Sequence, residues 1–421
     1  MNIFEELSWR GLVYQTTSDD ELPTFLNEKM RTVYIGFDPT ADSLHIGSLL
    51  QLLLLRRFQK AGHRPIALVG GATGMIGDPS GKSKERNLLS EDVLQANVEG
   101  IANQMKSFLD FDCGDNSAVL VNNFDWMKDF SYINFLRDVG KNFPVNVMIA
   151  KDSVKSRLES TAGLSYTEFS YMLLQAYDFV HLHREFGCEL QVGGQDQWGN
   201  VTAGIDLGRR MDGSRLMGIT SPLLTKPDGT KYGKTEEGTV WLSAERTSQY
   251  NFYQYWVREI DDQDIGKCFR FLTELPQDEI VELEQGDPRE AKKVLASTMT
   301  KMVHGEDGLA KAERATQILF GQEVTANDAD ALKGIADDVP NGEISRGELD
   351  GEGIGVLDAF VKTSIGKSKG DVRRTLQQGG INVNNVKITD VEHKISAKDL
   401  IGDSMILLRS GKRNYALLKV V

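Results

Sequence analysis

Between Arg31 and Gly71 the apolar and polar positions change period from block to block. RTVYIGFDP is an apolar run of strand length ending on Asp and Pro. TADS is a polar turn, LHIGSLLQLLLLRRFQKAG an apolar stretch of helical length, and HRPIALVGG a second strand. That order predicts a parallel sheet with a right-handed crossover. Such a sheet takes its ligand beyond the carboxyl ends of its strands, and FDPTADSLHIG lies at the first handover from strand to helix. Further units follow: SAVLVNNFDW as strand and turn, SYTEFSYMLLQAYDFVHLH as a helix, and CELQVGGQDQWGNVTAG as a strand leading through glycines into a helix.

After Thr235 the texture becomes helical, with SQYNFYQYWVREI, QDEIVELEQ and PREAKKVLASTMTKMVHG, the last opening on a proline suited to a first turn. Between about Gly321 and Gly355 acids and small residues dominate, which predicts a weakly structured connection. The expected division is an α/β parallel-sheet domain at 1–235, an α-helical domain at 236–322, an acidic linker at 323–353 and a small α+β unit at 354–421. In that last unit SKGDVRRTLQQG reads as a capped helix with Lys369, Arg373 and Arg374 near one face, and INVNNVKI as a hairpin with Asn-Asn at its turn.

Composition narrows the class. With 421 residues, 40% hydrophobic and 26% charged, the chain has the make-up of a globular protein of two or three domains. A formal net charge of −13 argues against a uniformly basic nucleic-acid coat, yet the C-terminal unit reverses the sign locally, with Lys367, Lys369, Arg373 and Arg374 among its many cations. A basic helix beside a turn points to a phosphate backbone, with a solvated charged face as the alternative. Cys113, Cys188 and Cys268 give no disulfide framework, suit a reducing compartment and read as packing residues. No apolar segment reaches the roughly 18 residues of a membrane span, and MNIFEELSWRG carries acids where a signal peptide is basic, so the expected location is the cytoplasm.

His45-Ile-Gly-Ser48 stands at the mouth of the first helix. A helix N-terminus offers unpaired N–H groups and partial positive charge, and Gly47 permits close approach, which makes a place for phosphate. His45 can donate a hydrogen bond to a phosphoryl oxygen as charge grows there, and Thr40 adds a hydroxyl from the loop. The alternative has Ser43 or Asp42 capping the helix and His45 on the surface. Lys231-Tyr-Gly-Lys234-Thr235, in a loop of Pro, Asp, Gly and Thr, makes a cationic clamp for a polyphosphate. The pair of motifs is more specific than either, and both can converge on one triphosphate from opposite sides.

HIGS resembles the HIGH signature, and KYGKT the KMSKS signature, of class I aminoacyl-tRNA synthetases. Four segments are similar to pocket segments of the bacterial tyrosyl-tRNA synthetases: Tyr34-Ile-Gly-Phe-Asp38, Gly77-Asp78-Pro-Ser-Gly-Lys82, Tyr171-Met-Leu-Leu-Gln175-Ala-Tyr-Asp178 and Gly193-Gly-Gln-Asp196-Gln-Trp-Gly-Asn200. The C-terminal unit resembles the RNA-binding domain first seen in a small-subunit ribosomal protein, so the likeness covers essentially the whole chain. It implies a Rossmann-like catalytic domain, a helical domain that meets the anticodon, and an RNA-binding end acting through Lys367, Lys369, Arg373 and Arg374.

The same resemblance implies that the carboxylate of L-tyrosine attacks the α-phosphate of ATP, accompanied by Mg2+, to give tyrosyl-adenylate and pyrophosphate. The tyrosyl group then passes to the 3′ end of tRNA(Tyr). On this resemblance Thr40 and His45 act on the phosphates from one side and Lys231, Lys234 and Thr235 from the other, with Lys82 and Arg86 as further contacts. Tyr34 and Asp178 hold the phenol, and Asp78, Tyr171 and Gln175 the ammonium. Gly36, Asp38, Gly47, Ser48, Gly194 and Asp196 line the ATP side, Asp196 taking the ribose. A homodimer with tRNA across both subunits is also implied, with no protein-held metal. Ser48 replaces the second histidine of HIGH and Tyr232 the methionine of KMSKS, which predicts an altered ribose contact rather than lost activity.

Other signals are weaker. GDPSGKSK has Ile76 where a P-loop needs glycine, and GGATGMIG lacks the dinucleotide order. His181-Leu-His183 near Cys188 has no fourth ligand at a sensible spacing and reads as one face of a strand. The rival functions are tryptophan activation, which Tyr34 with Asp178 opposes, a nucleotidylyltransferase, which leaves the basic unit unexplained, and a catalytically idle RNA-binding scaffold.

Overall fold

The structure, a computed structural model, describes the chain apart from residues 81–88, 160–162, 236–237, 337 and 413 and the side chains at 152, 153, 156 and 235. It divides into two compact units, Met1–Leu242 with Gly266–Leu283, and Ser243–Ile265 with Glu284–Val421.

The first unit is built on strands β1 (Gln15–Thr16), β2 (Thr32–Phe37), β3 (Arg64–Val69), β4 (Val119–Asn122), β5 (Cys188–Gly194) and β6 (Met217–Ser221). They lie in the order β1-β6-β5-β2-β3-β4, all neighbours parallel except β1, which pairs antiparallel with β6 at the edge. The near-continuous apolar runs of β2 and β3 are what strands covered on both faces require. The chain leaves β2 for β3 and β4 on one side and returns to β5 and β6 on the other, so the order reverses between β2 and β5. A crevice opens there at the strand ends.

Helix α1 (Ile46–Lys60) crosses from β2 to β3, α2 (Gly71–Ile76) follows β3, α3 (Tyr166–Phe186) precedes β5, and α4 (Trp198–Asp212) joins β5 to β6. The run Leu52–Leu55 is at most 1% exposed, so α1 is apolar around its circumference because it is buried around its circumference. Each of those leucines contributes about 1.5–3 kcal/mol of burial. The Ser165 hydroxyl accepts from Glu168 N at 3.2 Å and starts α3. His181 and His183 lie on α3, as the helical reading of SYTEFSYMLLQAYDFVHLH has it, which corrects the reading of the pair as a strand face: the long apolar period of the segment outweighs the local alternation.

Past β6 the chain forms α5 (Gln249–Arg258) in the second unit and then α6 (Ile265–Leu272), which returns to the first. The expected helical domain at 236–322 is thus not one block. In the second unit α5 packs on α7 (Pro288–Leu319), capped by Asp287 and broken at Gly305. The C-terminal sheet comprises β7 (Asn341–Ile344), β8 (Ile381–Val383), β9 (Val386–Lys387), β10 (Met405–Ser410) and β11 (Asn414–Val420), in the order β9-β8-β10-β11-β7.

The segment 323–353, expected as a linker, is folded over its described residues. It holds the helix Ala329–Lys333 and β7, which runs parallel to β11. An edge strand that buries only Ile344 of its four residues has a linker's composition. Strand β10 alternates: Ile406 and Leu408 pack with α8 (Val356–Lys362) and α9 (Lys369–Gln377), and Met405 and Leu407 with Ile318, Leu332 and Ile335. Asn384 (φ 50) and Asn385 (φ 62) form the two-residue turn between β8 and β9, as the sequence predicts. Asn385 Nδ2 donates to the carbonyls of Ile318 and Gln322 at 2.8 and 2.7 Å.

Candidate active site

A cavity of about 490 Å³ opens where β2 and β5 end, under the N-terminus of α1. Tyr34, Gly36, Asp38, Thr40, His45, Gly47, Ser48, Asp78, Tyr171, Gln175, Asp178, Gly194, Asp196, Lys231 and Lys234 all line it, far apart in sequence and together in space. Lys82 and Arg86 fall outside the described residues, as does the side chain of Thr235.

One end is deeply buried. Tyr34 on β2 and Asp178 on α3 are each 1% exposed. The Tyr34 hydroxyl has no hydrogen-bond partner among the described residues. Burial, then the Asp178 charge, pushes its pKa well above the usual phenol value. Asp178 accepts from Trp126 Nε1 at 2.9 Å and Asn123 Nδ2 at 3.0 Å. Burial pushes its pKa up to about 7, opposed by those two hydrogen bonds and aided by Asp38. Trp126 in turn stacks on His181, ring centroids 4.2 Å apart.

Asp38 joins two elements. Thr73 Oγ1 on α2 donates to its Oδ1 at 2.8 Å, and Tyr171 on α3 donates to its Oδ2 at 3.0 Å. Gln175 stands one helical turn beyond Tyr171 on the same face. Asp78 accepts from Ser80 N at 2.9 Å and Gln197 Nε2 at 2.7 Å, which fixes both carboxylate oxygens.

The other end is built on a helix terminus and a loop. His45 is itself the N-cap of α1: its Nδ1 accepts from Ser48 N at 3.2 Å, which settles the alternative of Ser43 or Asp42 as cap. Accepting at Nδ1 assigns the proton to Nε2. Burial and then Lys234 hold the imidazole pKa below its usual value, so the ring is neutral at pH 7. A Cβ on Gly47 would stand 2.9 Å from His45 Cε1, so the folded-back ring requires glycine there.

After β6 the chain doubles back, Tyr232 N donating to Leu224 O at 2.9 Å and Lys226 N to Thr230 O at 2.7 Å. Lys231 Nζ sits 3.2 Å from Asp196 Oδ2. Gly233, at φ +85, brings the loop against the start of α1, where a Cβ would meet Ile46 at 3.1 Å. The return leg pairs with the helix start, Ile46 N donating to Val240 O at 3.3 Å and Trp241 bridging His45.

The sequence reading missed Asn123, Trp126, Gln197, Gln51, Gln191 and Trp241. Gln51 donates to Ser221 Oγ at 3.0 Å, and the buried Gln191 Oε1 has no hydrogen-bond partner among the described residues. A polar pair directly after an apolar strand, as in VLVNNFDW, is the one signal that was available for Asn123. Cys188 and Cys268 are buried as expected, but Cys113 is exposed in a polar loop and packs no core. Among the described residues no group of three or more His, Cys, Asp or Glu is placed to hold a metal, and no helix is long and apolar enough to cross a membrane.

In the second unit Ser368 caps α9, its hydroxyl accepting from Asp371 N at 3.2 Å. Of the four basic residues singled out, Lys369 pairs with Asp358 and Arg374 with Asp371.

A histidine at the first crossover helix facing a lysine loop across the switch point of a parallel sheet is the arrangement of the class I aminoacyl-tRNA synthetases. Residues 26–321 match the family model described as tRNA synthetases class I (W and Y). The chain belongs to the tyrosine–tRNA ligases of that class, since residues 331–418 also match the model described as a tyrosine–tRNA ligase SYY-like C-terminal domain and full-length relatives carry that name. The tyrosine–tRNA ligase of Rhodopirellula baltica is 58% identical, covering 100% of this chain and 96% of that one. Tyrosine–tRNA ligase 1 of Bacillus subtilis is 47% identical over 99% of each. Among solved structures, a C-terminally truncated mitochondrial tyrosyl-tRNA synthetase of Aspergillus nidulans matches with a TM-score of 0.67 at 30% identity, covering 76% of this chain and 94% of that one.

Proposed function

We propose that the first unit activates L-tyrosine with Mg2+-bound ATP and that the chain then transfers the tyrosyl group to the 3′ end of tRNA(Tyr). The observation that carries this reading is one cavity with a buried hydroxyl and carboxyl at one end and a neutral histidine and two lysines at the other. The substrate phenol donates to Asp178 and accepts from Tyr34. Its ammonium lies among Asp78, Tyr171 and Gln175, which points its carboxylate toward the α-phosphate. An oxygen of that carboxylate bonds to phosphorus as the bond to the bridging oxygen breaks, and the electron pair leaves with pyrophosphate.

No covalent nucleophile is needed: position and charge do the chemistry. His45, donating from Nε2, and Thr40 stabilise phosphoryl charge on one side, and Lys231, Lys234 and Thr235 on the other. Lys82 and Arg86 belong to the same set by resemblance. Gly36, Asp38, Gly47, Ser48 and Gly194 shape the nucleotide side, and Asp196 takes the ribose. Tyrosyl-tRNA synthetases are themselves the known case in which a site built around a hydroxyl rejects phenylalanine by about 10⁴ to 10⁵ without editing.

Tyrosine-dependent exchange of pyrophosphate into ATP tests the reading, with phenylalanine and tryptophan alongside. Exchange with tyrosine alone supports it, and no exchange with any of the three overturns it.

The helical part of the second unit is proposed to meet the anticodon, and its C-terminal part to grip RNA through Lys367, Lys369, Arg373 and Arg374. Lys369 and Arg374 already carry carboxylate partners, so the double variant Lys367→Ala, Arg373→Ala should reduce the salt dependence of tRNA binding by about one unit per lost phosphate contact. A homodimer is proposed because the first unit exposes Tyr132, Ile133, Val145, Val147 and Ile149 on neighbouring short helices. Sedimentation as a single chain at micromolar concentration would sink it. Cytoplasm is the proposed location, where ATP and uncharged tRNA meet.

A further inference from the structure

We propose that Lys267 is a positioning residue for the loop carrying Lys231 and Lys234, and that α6 acts as a strut between that loop and helix α1. The proposal rests on the reading that those two lysines act on the phosphates of ATP.

Lys267, in the first turn of α6, donates from Nζ to the Thr225 carbonyl at 2.7 Å. Thr225 is the residue bridged across the loop to Lys231, and the neighbouring hydrogen bonds, Tyr232 N to Leu224 O and Lys226 N to Thr230 O, make that bridge the middle of a short hairpin. The Lys267 ammonium therefore holds the middle rung of the hairpin, the one that carries Lys231. A charged donor on a carbonyl is a strong, directional anchor.

The far end of α6 is held as firmly. A helix C-terminus leaves carbonyls without intrahelical partners and carries partial negative charge, and two arginines fill both needs here. Arg57 Nη2 donates to Phe271 O at 3.2 Å and Thr273 O at 2.7 Å. Arg10 donates to Arg270 O, Thr273 O and Leu275 O at 3.1, 3.2 and 2.9 Å.

Arg57 lies on α1, the helix whose N-cap is His45. One end of α6 is thus tied to the helix that presents the histidine and the other to the hairpin that presents the lysines. The rigid length of α6 fixes the gap across which they face each other. Misplacement of a charge-stabilising group by about 1 Å costs on the order of a hundredfold in rate. Because the lysines act as charge develops, the loss falls on kcat rather than on tyrosine binding.

The test compares the full-length chain with Lys267→Met and Lys267→Arg by tyrosine-dependent pyrophosphate exchange and by amide hydrogen exchange over residues 224–232. Lys267→Met is expected to lower kcat roughly tenfold to a hundredfold. The KM for tyrosine and the melting temperature should stay near native while the hairpin amides exchange faster. Lys267→Arg keeps the charge and reach and should recover most of kcat and protection. Native kcat and native protection in Lys267→Met would overturn the proposal, as would a kcat loss with unchanged protection that arginine does not rescue. Should the native chain show no tyrosine-dependent exchange, the adenylation reading falls on its own, and hairpin protection still decides whether α6 is a strut.

Discussion

Tyr34 and Asp178 sit 1% exposed on a strand and a helix, whereas Lys231, at the other end of the same cavity, has a side chain 46% exposed on a loop and 3.2 Å from Asp196. The difference matches the two tasks proposed for the cavity's ends. Choosing an amino acid needs polar groups that lose heavily when unpaired, so they are dry and fixed by Asn123, Trp126 and the sheet. Neutralising phosphate needs groups that engage as charge forms and then release pyrophosphate, so they stand where water still competes. An ion pair as exposed as Lys231 with Asp196 is worth only about 0–1 kcal/mol, weak enough to be exchanged for ribose and phosphate.

The sharpest way to break this contrast is His45→Ala. Loss of a donor to the developing charge should lower kcat of exchange on the order of 10² to 10³ while the KM for tyrosine holds. A raised KM with unchanged kcat would erase the distinction between the two ends. Gly47→Ala is next, because its Cβ would push the imidazole out of place; kcat should fall by roughly tenfold or more, again without a change in KM.

Tyr34→Phe acts at the opposite end. The net loss of one hydrogen bond, about 0.5–1.5 kcal/mol, should weaken tyrosine binding roughly twofold to tenfold and relax rejection of phenylalanine, with kcat nearly native. The free chain should melt no lower, since the hydroxyl removed has no partner among the described residues.

The smallest effect is one of pH. The Asp178 pKa is raised from 3.8 to about 7 in the folded chain. Its contribution to stability is therefore complete below about pH 4 and lost as pH rises through 7. The ionised carboxylate is the better acceptor for the hydrogen bond from the phenol in the proposed site, so the KM for tyrosine should fall over that same rise. A log KM profile with no bend near 7, or one that persists in Asp178→Asn, would refute the assignment.

The crossover from β2 through α1 to β3, the HIGS and KYGKT segments that meet at one cavity, and the Asn384-Asn385 turn were legible in the sequence, because each is set by neighbours within a few residues. Asn123, Trp126 and Gln197 were not, since their partners Asp178 and Asp78 lie 55, 52 and 119 positions away. The strand β7 escaped notice because its backbone pairing, not its side chains, makes it part of the sheet. The return of residues 266–283 to the first unit was hidden for another reason. An amphipathic helix announces that one face is covered without saying by what.

The alternation along β10 has a consequence for how the molecule can be cut. With Ile406 and Leu408 covered by α8 and α9, and Met405 and Leu407 by residues of α7 and the following segment, strand β10 at the middle of the C-terminal sheet is covered on both faces. Expressed alone from residue 354 onward that sheet would lose both its parallel edge partner and the cover of its second side. It is less a portable cassette than a tenon, shaped to the helices it leaves behind.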